Sequence, residues 1–241
     1  MALGSAVHEV LESLSVLPTE KRFDVSLIER FQKVWSKFSG QKGGFTDNDT
    51  EEKFKQKGED MLRRVMTHPG PLSSKAVKIK MDLPQYWLSE EIGLMLCGKL
   101  DWLEYNESDD SVNILDFKTG LGEERVDSIQ LPIYYLLAHN CQTHQVKKAS
   151  YWYIGRDDVP TEKKLPDLDK SKELVMKIGK EIKLARQLNK FKCKEGELGC
   201  KYCTPYEKIL LGEAIFVGSG DYGSDLYIIG EPGNRRASEI L

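Results

Sequence analysis

Residues 98–120 read GKLDWLEYNESDDSVNILDFKTG, and this stretch decides the fold. Two runs rich in apolar residues flank the polar segment NESDDS, which is the pattern of a β-hairpin. A turn centred on Ser108 and Asp109 sets Asp101 directly across from Asp116, where facing Cβ atoms lie roughly 5 Å apart. Lys118, two residues beyond Asp116, points to the same face. Two facing carboxylates repel each other and need a compensating charge. Hard oxygen ligands suit Mg²⁺ or Mn²⁺. Such an ion polarises a phosphoryl oxygen and acidifies a water, while a nearby lysine positions or deprotonates that water or stabilises the transition-state charge. An Asp-x-Lys on a strand is ordinarily solvated surface. Here Ile114 and Leu115 bring the strand out of a core and Thr119-Gly120 end it abruptly, so the trio reads as a phosphodiester-hydrolysing site.

Outward from the hairpin, apolar periodicity predicts helices over 5–14, 19–38, about 49–65, 128–140 and 174–188. Alternation predicts strands over 76–83, 92–105, 112–118 and 149–155. Pro132 falls near the start of its helix, where proline is tolerated. Helices, a run of strands, a helix, a strand and a helix make an α/β chain with a mixed sheet flanked by helices.

The 241 residues carry a formal net charge of −3, with 40% hydrophobic and 30% charged residues. That balance excludes a generally basic nucleic-acid coating protein but not an acidic metal site beside a local basic groove. The apolar runs are too short for a membrane span, and the N-terminus MALGSAVHEVLE lacks a signal-peptide pattern, so a cytoplasmic protein is expected. The cysteines are Cys97, Cys141, Cys193, Cys200 and Cys203. An odd count argues against a disulfide framework; Cys97 and Cys141 are expected in the core. Cys193, Cys200 and Cys203 crowd into FKCKEGELGCKYC, a metal-site pattern. Trp102, Trp152 and Tyr153 are candidates for stacking on bases, although core packing is their usual role.

Gly98-Lys-Leu-Asp101 followed by Ile114-Leu-Asp116-Phe-Lys118-Thr-Gly120 resembles the PD-(D/E)XK nuclease superfamily, in its RecB-type branch. The upstream Gly-x-x-x-His helix of that branch corresponds to Gly4-Ser-Ala-Val-His8, and its downstream Gln-x-x-x-Tyr helix to Gln130-Leu-Pro-Ile-Tyr134. The resemblance covers about residues 3–203 and implies a restriction-endonuclease-like core. It further implies a DNA-cleaving enzyme, by analogy an exonuclease, that uses Mg²⁺ or Mn²⁺ in repair, recombination or defence, with helicases or other repair proteins as partners. By this resemblance His8, Asp101, Asp116 and the Phe117 carbonyl hold the metal, Lys118 is catalytic, and Gln130 and Tyr134 line the site. Glu12, one turn after His8, is placed to steady the imidazole.

Many nucleases of this branch carry a four-cysteine iron–sulfur cluster. Here the upstream cysteine is missing and a later one falls near Ile209, leaving Cys193, Cys200 and Cys203 as an incomplete iron–sulfur set or a zinc site. Residues 1–205 are expected to form the nuclease domain, with a helical insertion at about 19–70, and 206–241 a C-terminal extension. Gly230-Glu-Pro-Gly233 in that extension resembles the opening of a family-4-type uracil-DNA glycosylase. The alternatives are therefore a catalytically silent DNA-binding module and a fragment of a nuclease–glycosylase fusion.

Overall fold

The structure, a computed structural model, describes residues 2–193, 195–196, 199–220 and 223–229. Helix α1 (Ala2–Glu12) buries Ala6, Val7, Val10 and Leu11, the stripe its periodicity marks. The helix expected over 19–38 is divided. Thr19–Lys21 is a single 3₁₀ turn, and α2 (Leu27–Trp35) restarts at Ser26, whose hydroxyl accepts the Ile28 N–H at 3.2 Å. Between them Arg22 is buried, and its guanidinium donates to the main-chain carbonyls of Leu14, Leu72 and Ser74. That clip fixes the chain in a non-helical path that apolar spacing alone does not reveal. Helix α3 (Asn48–Thr67) starts at Asp47, whose carboxylate accepts the Thr50 N–H at 2.7 Å. Gly58 lets α3 lie close to α2, because a Cβ there would come within 2.4 Å of Phe31 Cζ.

The strands are β1 (Gln85–Ser89), β2 (Leu94–Cys97), β3 (Trp102–Asn106), β4 (Ser111–Lys118), β5 (Gln145–Tyr153) and β6 (Thr161–Lys163). β3, β4, β5 and β6 form one mixed sheet in that order, with β3/β4 and β5/β6 antiparallel and β4/β5 parallel. The crossover between the parallel strands carries α4 (Gln130–Asn140). The β3/β4 register runs from Asn106↔Ser111 to Trp102↔Leu115, so extending it by one pair sets Asp101 opposite Asp116. This is the register the turn predicts. The chain continues through α5 (Leu168–Gln187), α6 (Thr204–Leu210) and an antiparallel hairpin of β7 (Ala214–Ser219) and β8 (Asp225–Ile229).

Two strand expectations, and one for a cysteine, need correction. Residues 76–83 form only an isolated bridge, Ala76↔Glu104, before the chain leaves the sheet edge. Residues 92–105 are two strands, because Gly98 to Asp101 break the run; β2 pairs with β1, in a separate two-stranded sheet. Cys97 is exposed on that hairpin and is not a core residue, whereas Cys141 is half-buried and packs against the cluster that holds Leu103, Val112 and Ile114.

The sheet is covered on both sides, which is why Val112, Ile114, Leu115 and Phe117 of β4 are all buried. Trp102, Leu115, Phe117, Trp152 and Ile154 pack with Phe31, Leu62 and Val65 of α2 and α3 and with the buried stripe of α1. Leu103, Val112, Ile114 and Ala149 pack against Ala138 and the half-buried Leu131 and Tyr134 of α4. Trp102, Trp152 and Tyr153 are thus core residues rather than a stacking surface. Among the described residues no helix is long and apolar enough to cross a membrane.

Candidate active site

Asp116 and Lys118 sit at the end of β4, where the strand emerges from the core, and Asp101 precedes β3 beside them. Asp116 is 1% exposed, and Asp101 is also buried. Asp101 is held by the main chain: its Oδ2 accepts the Phe117 N–H at 2.9 Å. Phe117 therefore fixes a carboxylate through its amide, while its ring packs edge-on to His8 with centroids 6.1 Å apart. Helix α1 brings His8 to the same place, with Nδ1 3.3 Å from Asp101 Oδ1. Gly4 permits this approach, since a Cβ there would stand 3.2 Å from Thr119 Oγ1, just past the end of β4.

One turn after His8, Glu12 adds a second carboxylate. Donor atoms of His8, Glu12 and Asp101 all lie within 4.8 Å of one another. Asp116 is outside that group, its oxygens engaged by Gln130 and Lys118. Oδ1 accepts from Gln130 Nε2 at 3.1 Å, and Oδ2 lies 2.9 Å from Lys118 Nζ. That second oxygen is buried and has no hydrogen bond of good geometry.

Lys118 is caged. Its ammonium contacts Asp116 and Glu124, each at 2.9 Å, donates to Gln130 Oε1, and stands 4.8 Å over the Tyr151 ring. Gln130 also donates to the Tyr134 hydroxyl at 2.9 Å. Gln130 and Tyr134 are on one face of α4, as their four-residue spacing requires.

The electrostatics follow from this crowding. Burial, then the charge of Asp101, pushes the Asp116 carboxyl up to about 6 against the pull of Lys118. Burial also draws the Lys118 ammonium down, but the Asp116 and Glu124 contacts outweigh it, so Lys118 stays protonated at neutral pH. The same balance holds at His8, where burial is outweighed by Asp101, Asp116 and Glu12 and the imidazole titrates above its ordinary value. Glu12 is raised by burial and by Asp101. Burial raises Tyr134 as well, and it is a neutral phenol throughout the physiological range.

An imidazole and two carboxylates with donor atoms within 4.8 Å of one another are a donor set that fits a hard divalent cation. A model of the PD-(D/E)XK nuclease superfamily matches residues 1–208. The chain belongs to the PD-(D/E)XK nuclease superfamily. Membership implies metal-dependent nuclease activity on DNA, and the mixed sheet flanked by helices is the fold such nucleases share. No curated protein and no solved structure matches the chain.

In this PD-(D/E)XK chain the residues singled out from the sequence, His8, Asp101, Asp116, Phe117, Lys118, Gln130 and Tyr134, all meet around the end of β4. Two neighbours were not anticipated. Glu124 belongs to the loop after β4 and carries no periodic signal. Tyr151 follows from the parallel register, which pairs it with Asp116, but that pairing is invisible without the crossover.

Cys193, Cys200 and Cys203 form a second cluster, with all three sulfurs within 4.8 Å of one another. Backbone N–H groups of Cys203 and Tyr202 favour the Cys200 thiolate, while its hydrogen bonds with Cys200 and Cys193 push the Cys203 thiol up to about 11. Among the described residues no fourth His, Cys, Asp or Glu joins them. Gly230-Glu-Pro-Gly233 lies outside the described residues. A separate apolar cavity of about 460 Å³ between the β1–β2 hairpin and α5 contains none of the site's residues.

Proposed function

We propose that the protein is a Mg²⁺- or Mn²⁺-dependent deoxyribonuclease of the RecB-like type, acting as an exonuclease in DNA repair, recombination or defence. The observation that carries the reading is the meeting of His8, Asp101, Asp116 and Lys118 at one strand end. His8, Asp101, Asp116 and the Phe117 carbonyl would hold the metal, with Glu12 as a further ligand. When bound, the divalent ion supplies Lewis acidity toward a phosphoryl oxygen and lowers the pKa of water. Lys118, kept as an ammonium, would exchange one of its three partners, Asp116, Glu124 or Gln130, for a hydrogen bond to the charge that builds on the phosphate. Gln130 holds Asp116 and Lys118 in fixed orientation, and Tyr134 holds Gln130. Work in the cytoplasm beside helicases or other repair proteins belongs to the same reading. The three-thiol cluster is proposed as a structural zinc or iron–sulfur centre, which metal analysis and the visible spectrum of anaerobically purified protein will decide.

Linear and covalently closed circular single-stranded DNA, incubated with Mn²⁺, Mg²⁺ or chelator, test the main reading. Degradation of the linear form alone, stopped by chelator, is expected. Equal loss of the circles overturns the exonuclease assignment, and no loss of either substrate with either ion overturns the nuclease.

A further inference from the structure

We infer that Lys78 and Lys99 form a phosphate-binding track that seats the DNA strand beside the scissile bond. The inference rests on the deoxyribonuclease reading above and names residues that it leaves without a role.

An open groove of about 780 Å³ runs along α1 from His8; Ser5, Glu9 and Glu12 line one part of it, and Lys78 and Lys99 another. A polyanion entering this groove meets a difficulty. Glu12, Asp101 and Asp116 all present negative charge near its path, and Lys118 is already neutralised by Asp116 and Glu124. Lys37 is likewise engaged by Glu9. Lys78 and Lys99 differ. Both are exposed, neither is within ion-pairing distance of a carboxylate among the described residues, and the charge of both reaches Glu12. They are the uncommitted positive charges of the groove.

Their placement suits the task. Lys99 is two residues before Asp101 in the link between β2 and β3, so its Cα lies at most about 7 Å from that of Asp101. Lys78 stands on the segment that follows the bridge at Ala76, a different part of the chain. Two ammonium groups from separate segments on one groove can hold successive phosphates, and flexible point charges do so without reading base sequence. Within the roughly 8 Å Debye length at physiological salt they also lessen the repulsion from the acidic ligands. The bland alternative is that both lysines only balance Glu12, and the two roles separate experimentally.

Binding of a labelled single-stranded oligonucleotide, with Ca²⁺ replacing Mg²⁺, is followed by anisotropy across a NaCl series, and steady-state cleavage is measured with Mn²⁺. Each phosphate contact contributes about 0.7 to the slope of log K against log salt for single strands. The Lys78→Gln/Lys99→Gln protein should lose about 1.4 from that slope. Its KM should rise at least tenfold with kcat within about twofold, and Lys78→Arg/Lys99→Arg should restore both. Lys172→Gln/Lys177→Gln on α5, the same two-charge change outside the groove, should change neither. If wild type cleaves DNA and the double Gln protein keeps its slope and KM, the track is overturned. A fall in kcat with an unchanged slope also overturns it and leaves the lysines as charge balance for the site. If wild type cleaves no DNA at all, it is the underlying nuclease reading that fails.

Discussion

Gln130→Leu removes the group that ties the site together while keeping a side chain of similar size. Its amide donates to Asp116 Oδ1 at 3.1 Å and to the Tyr134 hydroxyl at 2.9 Å, and its oxygen accepts from Lys118. Lys118 retains Asp116 and Glu124, but Asp116, 1% exposed, loses its amide donor and is left with the Lys118 ammonium at its other oxygen and the Tyr134 hydroxyl nearby. A buried acceptor left without its donor costs about 1–3 kcal/mol. For a chain of this size about 2 kcal/mol corresponds to a fall in Tm of roughly 4–8 °C. The functional effect should be larger. Loss of a group that orients a metal ligand typically weakens metal affinity by about 10–100-fold, and a displacement of about 1 Å in a catalytic group costs on the order of 100-fold in rate. The assay is cleavage rate against Mn²⁺ concentration at a temperature well below both melting points. The expected outcome is a half-saturating Mn²⁺ concentration raised about 10–100-fold, and a kcat reduced on the order of 100-fold at saturation. A variant that melts lower yet shows the wild-type Mn²⁺ curve and kcat would refute the reasoning, since Gln130 would then be structural only.

Gly58→Ala should separate stability from chemistry: the new methyl meets Phe31 Cζ at 2.4 Å. Overpacking of about 1–3 kcal/mol should exceed the helix-propensity gain of about 1 kcal/mol, lowering the denaturation midpoint but not the Mn²⁺ half-saturation. Arg22→Met strips the guanidinium from the carbonyls of Leu14, Leu72 and Ser74 and should destabilise by about 3 kcal/mol in urea titration; a loss below about 1 kcal/mol contradicts the clip. Gly4→Ala should be tolerated, because Thr119 Oγ1 at 3.2 Å can give way, whereas Gly4→Leu should move α1 and cut Mn²⁺ affinity at least tenfold. Without metal, Asp116, at about 6, and Glu12 both titrate above their ordinary values, so the folded state binds more protons than the unfolded chain in weak acid. The raised imidazole of His8 acts in the same direction, its contribution being present below its unfolded value and lost as pH rises through the folded one. These groups should therefore make chelator-treated protein melt higher at pH 6 than at pH 8, a difference that shrinks in Asp116→Asn; a flat profile in wild type counts against the crowded-carboxylate account.

The sequence makes the β3–β4 hairpin legible because two constraints agree: the polar turn sets the register, and alternation sets the face. Together they place Asp101 across from Asp116 and Lys118 beside them. His8, Gln130 and Tyr134 are legible as helix positions, but their meeting with the strand pair rests on motif resemblance, since spacing cannot dock one helix on another. The misreadings share a cause. Alternation over 76–83 specifies a face but supplies no partner, and only Ala76 bridges to the edge of β3. The apolar run 92–105 hides the break at Gly98 to Asp101 that turns the chain from one sheet to another. The loop residue Glu124 and the buried Arg22 act through tertiary contacts, which leave no periodic trace.

The central claim is tested most directly by cleavage of end-labelled DNA with Mn²⁺, wild type beside Asp116→Ala and Lys118→Ala, each checked for a cooperative melting transition. The account predicts cleavage by wild type alone, with both variants folded and their activity reduced by at least about 1,000-fold, the scale of removing a principal electrostatic stabiliser. Folded variants that cut DNA at the wild-type rate would contradict it.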